Sequence, residues 1–162
     1  MEVMFPPYYQ GAVAGHGCEY QILRDYLSFA IAIYDDVPSW YEYIGGRVYN
    51  DFVDTREYLY APGVTWQGTG YAFTRHVPTL ISAWILEAAT DENPYGDYLQ
   101  DAIWGLLNYE VAPGEMFTDA DGTGDLDKMS AYDDLAYLVA YLYEDSAMMN
   151  MADYLRGGGY VW

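Results

Sequence analysis

His16 and Glu19 stand three residues apart in "AGHGCEY" (14–20), and Tyr71, Arg75 and His76 close the segment "WQGTGYAFTRH" (66–76). These are the side chains best suited to move a proton. An imidazole titrates near neutral pH, and a carboxylate three residues away on a helix shares its face, where it can orient the ring or help hold a substrate. A tyrosine of ordinary pKa, about 10, is a poor base at neutral pH. A cation beside it favours the phenolate, and this segment supplies both Arg and His. Gly68 and Gly70 let the backbone come close to a ligand, and Trp66 offers a face for ring stacking. The same residues also fit quieter roles: a hydrogen-bonded histidine at a helix start, and a tyrosine held in a tight turn. His16, His76 and Cys18 supply too few well-spaced ligands for a closed zinc site.

A third group lies in "DADGTGDLDKMS" (119–130). Asp119, Asp121, Thr123, Asp125 and Asp127 alternate, and Gly124 occupies the turn. A calcium loop of this type needs a bidentate Glu at its twelfth place, where Ser130 stands. The segment therefore reads as a solvated acidic loop, with weak calcium binding as the second reading.

The elements that must position these groups read as helices almost throughout. Ile22, Tyr26, Phe29 and Ile33, spaced by three and four, predict one buried face of a central helix over 18–36. Pro38 opens a second helix running to residue 60, with Ser39 and Glu42 as a capping box and Gly45-Gly46 weakening its interior. Residues 61–71 predict a glycine-rich loop with Tyr71 at its end, and Pro78 the first turn of a third helix, on which Trp84 packs into the core. A turn at 91–96 leads to a fourth helix over 97–110. A long loop over 111–127 follows, then two closing helices up to Arg156, and "RGGGYVW" reads as the start of an apolar strand. The sum is an all-α chain of stacked antiparallel helical hairpins, a single domain over 1–162, without a fixed-period repeat. Uncovered helix faces favour a homo-oligomer or a further domain against them.

With 25 acidic and only 6 basic side chains, the formal charge is −19. That balance argues against nucleic acid and against an anionic membrane surface as partners. Aromatic residues make up 19% of the chain, too many for a disordered acidic segment. Five of the six basic residues are Arg, the side chain suited to bidentate recognition of carboxylate or sulfate. The single cysteine excludes an intrachain disulfide. No apolar run reaches the roughly 18 residues of a membrane span, and "MEVMFPPYYQ" lacks the pattern of a signal peptide.

"GHGCEYQILRDYLSFAIAIYDD", followed by "QGTGY" and then "SAWILEAATDENPY", resembles the heparinase II/III-like polysaccharide lyases, most closely the heparinase II branch. The likeness covers residues 14–109. It implies an incomplete (α/α) toroid in which a His-x-x-Glu segment opens an inner helix and a Gly-Thr-small-Tyr loop brings a catalytic tyrosine beside it. The implied reaction is β-elimination at a uronate in an acidic polysaccharide. Tyr71 would be base and acid, and His16 the base for the other uronate epimer. Glu19 and Arg75 would neutralise the carboxylate so that the adjacent C–H becomes acidic enough. Arg75, Gln67, Trp66 and His76 are the expected substrate-binding residues. The resemblance implies a periplasmic or secreted protein and no cofactor within these residues. It places a structural zinc and a further catalytic histidine in a downstream β-rich domain. The acidity of the chain points to a lightly sulfated polymer, since like charges repel before local contacts form. Two other readings stand beside this one: a non-catalytic helical module binding carbohydrate or calcium, and an (α/α)-barrel glycoside hydrolase with two carboxylates across a cleft.

Overall fold

The computed structural model describes residues 20–63, 69–108, 110–112, 115–116, 127–128 and 132–157. Apart from one small sheet, these residues are helical. Helix α1 begins with a wide π-type winding, Tyr20–Tyr26, and continues as a regular α-helix, Leu27–Ala32. Its buried side chains are Ile22, Leu23, Leu27 and Ala30. The face expected from Ile22, Tyr26, Phe29 and Ile33 is therefore rotated: Phe29 is 51% exposed and meets Trp40 edge-on at 6.1 Å. Hydrogen bonds that reach five residues back add about one residue per turn, so a spacing of three and four no longer marks one side.

Helix α2 runs through three segments: Pro38–Arg47, a second π-type winding at Val48–Val53, and Asp54–Tyr60. Pro38 sits in its first turn, as expected, where its missing N–H costs nothing. The cap position falls to Val37 and carries no side-chain hydrogen bond, so Ser39 and Glu42 form no capping box. Proline at the first helical position has moved the boundary one residue upstream of the serine.

Helix α3, Thr69–Thr90, is the longest stretch of regular α-helix described and touches α1 as well as the next two helices along the chain. It corrects the sequence reading. Pro78 lies in its interior, not its first turn, and Tyr71 belongs to the helix, not to the end of a loop. An interior proline removes one ladder bond and costs about 3 kcal/mol. Burial outweighs that cost: Ala72, Leu80, Ala83 and Leu86 are fully enclosed along the helix. The Thr79 hydroxyl also donates to the Arg75 carbonyl at 3.1 Å, next to the break.

Helix α4, Tyr98–Leu107, follows a turn with left-handed backbone at Asp91 and Gly96. It approaches the end of α2 so closely that backbone meets backbone: a Cβ on Gly105 would lie 1.7 Å from the Gly63 carbonyl oxygen. Only glycine fits there. The span expected as a loop contains three short strands, β1 (Glu110–Ala112), β2 (Glu115–Met116) and β3 (Asp127–Lys128), paired antiparallel in that order. Their two- and three-residue lengths give too little alternation to be read as strands.

Helices α5, Asp133–Leu142, and α6, Ser146–Arg156, close the chain as a tightly packed antiparallel hairpin. Asp145 caps α6, accepting from the backbone N–H groups of Ala147 and Met148, both at 2.9 Å. The same carboxylate accepts from Gln100 Nε2 at 2.7 Å and Trp104 Nε1 at 3.0 Å, which ties the hairpin to α4. One hydrophobic core runs through every helix from α1 to α6. No helix among the described residues is long and apolar enough to cross a membrane.

Candidate active site

The first turns of α3 bring Tyr71, Arg75 and His76 into the protein. Tyr71 and Arg75 are one helical turn apart, so they share a face. The Arg75 guanidinium carbon lies 5.3 Å from the centre of the Tyr71 ring, within the range of a cation–π contact. Tyr71 is half-buried, whereas Arg75 is only 1% exposed. The cation is thus the more deeply buried of the two.

His76 points into the core between α3 and α2. Its ring packs against Tyr60 with centroids 4.6 Å apart and planes tilted by 36°. One turn before Tyr60 on α2 lies Arg56, wholly buried, with its guanidinium carbon 5.6 Å from the Phe52 ring and 5.9 Å from the Tyr60 ring. Burial first, and the Arg56 charge second, hold the His76 pKa down at about 3. The imidazole is therefore neutral throughout the physiological range.

Arg75 and His76, expected as substrate-binding residues, are both buried among the described residues. His16, Glu19, Trp66 and Gln67 lie outside the described residues, as do Asp119, Asp121 and Asp125. Asp127 contributes its backbone to β3. Among the described residues no group of three or more His, Cys, Asp or Glu is arranged to hold a metal.

Arg56 is the component that sequence reading missed. The signal was present: Phe52, Arg56 and Tyr60 recur at four-residue intervals along α2, and all three are buried. An arginine in an acidic chain reads as a surface residue, so the spacing passed unnoticed.

Trp84 corrects the sequence reading in the opposite direction. Expected in the core, it is 46% exposed and meets Tyr141 of α5 edge-on at 6.1 Å. Two open grooves run along this side of the molecule, and neither includes Tyr71, Arg75 or His76. No family model, no curated protein and no solved structure matches this chain.

Proposed function

We propose that this chain is part of a polysaccharide lyase that cleaves a uronate-containing polymer by β-elimination, with Tyr71 as the proton-transfer residue. The observation that carries this reading is the contact of the Arg75 guanidinium with the Tyr71 ring, the cation being buried and the phenol residue only half-buried. As base the Tyr71 phenolate takes the proton from the carbon next to the uronate carboxylate, and as acid the resulting phenol gives a proton to the departing glycosidic oxygen; a fixed positive charge beside the ring supports the anionic form at both ends of this cycle. Arg75 is buried, so it acts through Tyr71 as a positioning residue and not as a direct ligand of the substrate carboxylate. The sequence pattern around His16 and Glu19 supplies the remaining roles: His16 as base for the second epimer, Glu19 as the group that meets the carboxylate. An incomplete (α/α) toroid is the architecture that goes with this chemistry.

The resemblance implies that these 162 residues alone are weakly active or inactive, so the test incubates them joined to the implied downstream β-rich domain with a panel of uronate polymers of low and high sulfation and follows the ultraviolet absorbance of an unsaturated product. Tyr71→Phe is expected to lower the rate by about 100-fold or more, the scale of general acid–base catalysis. Its stability should fall by no more than about 1 kcal/mol, one hydrogen bond. Arg75→Lys keeps the charge and loses the planar stack, so kcat should fall while KM holds. A Tyr71→Phe protein that cleaves at the wild-type rate removes the tyrosine mechanism. A polymer that binds and returns intact from the wild-type chain favours a binding module instead.

A further inference from the structure

Two grooves on the side of the molecule formed by α3, α5 and α6 lie next to each other and share Trp84 and Tyr141 in their walls. The larger, about 720 Å³, has Glu87, Glu144, Met149 and Asn150 in its walls. The smaller, about 480 Å³, is mostly apolar, with Phe73, Val77 and Leu138 in its walls. An aromatic ring is followed three residues later by a carboxylate twice: Trp84 and Glu87 on α3, and Tyr141 on α5 with Glu144 in the turn after it. The two rings stand at 84° to each other and form two walls of a corner. Tyr141 is 68% exposed. Asp145, nearby, is engaged as the cap of α6, but Glu87 and Glu144 take part in no ion pair among the described residues.

Aromatic faces and free carboxylates around one space select for positive charge, since a cation gains from the ring quadrupole and the anions together. A uronate polymer carries the wrong sign for this groove. So does a second copy of a chain with a formal charge of −19. The apolar arm is too long for a lone ammonium group and asks for hydrophobic side chains next to the cation. We propose that this groove docks a basic amphipathic segment of a partner protein. Its Lys or Arg side chain lies against Trp84 and Tyr141 between Glu87 and Glu144, and its apolar side chains fill the arm at Phe73, Val77 and Leu138. This is the recognition of an amphipathic helix in a groove, with the charge pairing at one end.

The experiment titrates the full chain with three synthetic peptides: an amphipathic Leu/Lys helix, its Leu/Glu counterpart and a Ser/Lys peptide of equal charge. Calorimetry reports binding. The Leu/Lys peptide is expected to bind at least ~10-fold more tightly than either control. Trp84→Ala and the double variant Glu87→Gln/Glu144→Gln should each weaken it by ~10-fold. The double variant changes only groove-wall carboxylates outside any ion pair, so it decides the matter if Trp84→Ala fails to fold. Equal binding of the Leu/Lys and Ser/Lys peptides, or undiminished binding by the double variant, would place the peptide elsewhere on the acidic surface and overturn the proposal. A concentration-dependent dimer abolished by Trp84→Ala, without peptide binding, would assign the groove to a second copy and overturn it as well.

Discussion

His76 is a neutral ring in a place where a charged one cannot stay. Burial and the Arg56 guanidinium hold its pKa at about 3, against about 6.5 in an unfolded chain. Between those values the unfolded state takes up a proton that the folded state refuses. Folding stability therefore falls as the pH drops from about 6.5 toward 3, by as much as ~1.4 kcal/mol per pH unit. Urea unfolding midpoints measured from pH 7 to pH 4 should decline steeply for the wild type. His76→Phe keeps a ring against Tyr60 and removes the titration, so its profile should be flatter; equal slopes would mean that His76 is not the acid-sensitive group. At this scale the sequence was half legible. That Arg75 stands beside Tyr71 is expected because one short segment carries both, although that segment reads as a loop and is the start of a helix. The depth at which Arg75, His76 and Arg56 sit is not, because it depends on how α2 and α3 face each other across the core. Trp84 failed for the same reason: its helix is buried on one side, and the residue lies on the other.

Helix positions survived better than helix boundaries. Except at the start of α3, which lies at Thr69 and not at Pro78, the expected helices appear within a few residues of their places, because apolar spacing and the turn at 91–96 mark them. The errors arose where a local rule met a stronger tertiary demand. Pro78 should have begun a helix, yet the burial of α3 on both sides of it carries the helix through. In α1 the extra residue of the π-type winding turned Phe29 outward, and no residue in "YQILRDY" announces such a winding. Asp145 was open to reading and went unnoticed: it directly precedes a helix start at Ser146, a place where Asp is favoured. Its carboxylate joins α6 to α4 as well as capping α6. Asp145→Ala is therefore expected to cost about 2–3 kcal/mol, more than a cap alone. Asp145→Ser keeps a capping oxygen but not the bonds to Gln100 and Trp104, and should cost about 1 kcal/mol. Thermal unfolding of the two variants side by side separates the contributions; equal losses would show that the cap is the whole of it.

The molecule as a whole is acidic outside and, at Arg56, Arg75 and His76, basic within. Its helices share one core, but they do not meet only through oily side chains. At Gly63 and Gly105 two main chains are in direct contact, with no side chain between to act as a cushion. The Tyr98 hydroxyl, at the start of α4, donates to the Val53 carbonyl on α2 at 3.2 Å and fastens the same two elements at a second point. Elements joined in this way cannot breathe separately. In native-state hydrogen exchange, the amides of Asp54–Tyr60 and of Tyr98–Leu107 should exchange through a single opening event, with matching free energies and matching dependence on denaturant. The outer half of α2, Pro38–Arg47, lacks such a clamp and should exchange earlier. A Gly105→Ala substitution would wedge the contact apart and split the shared event into two.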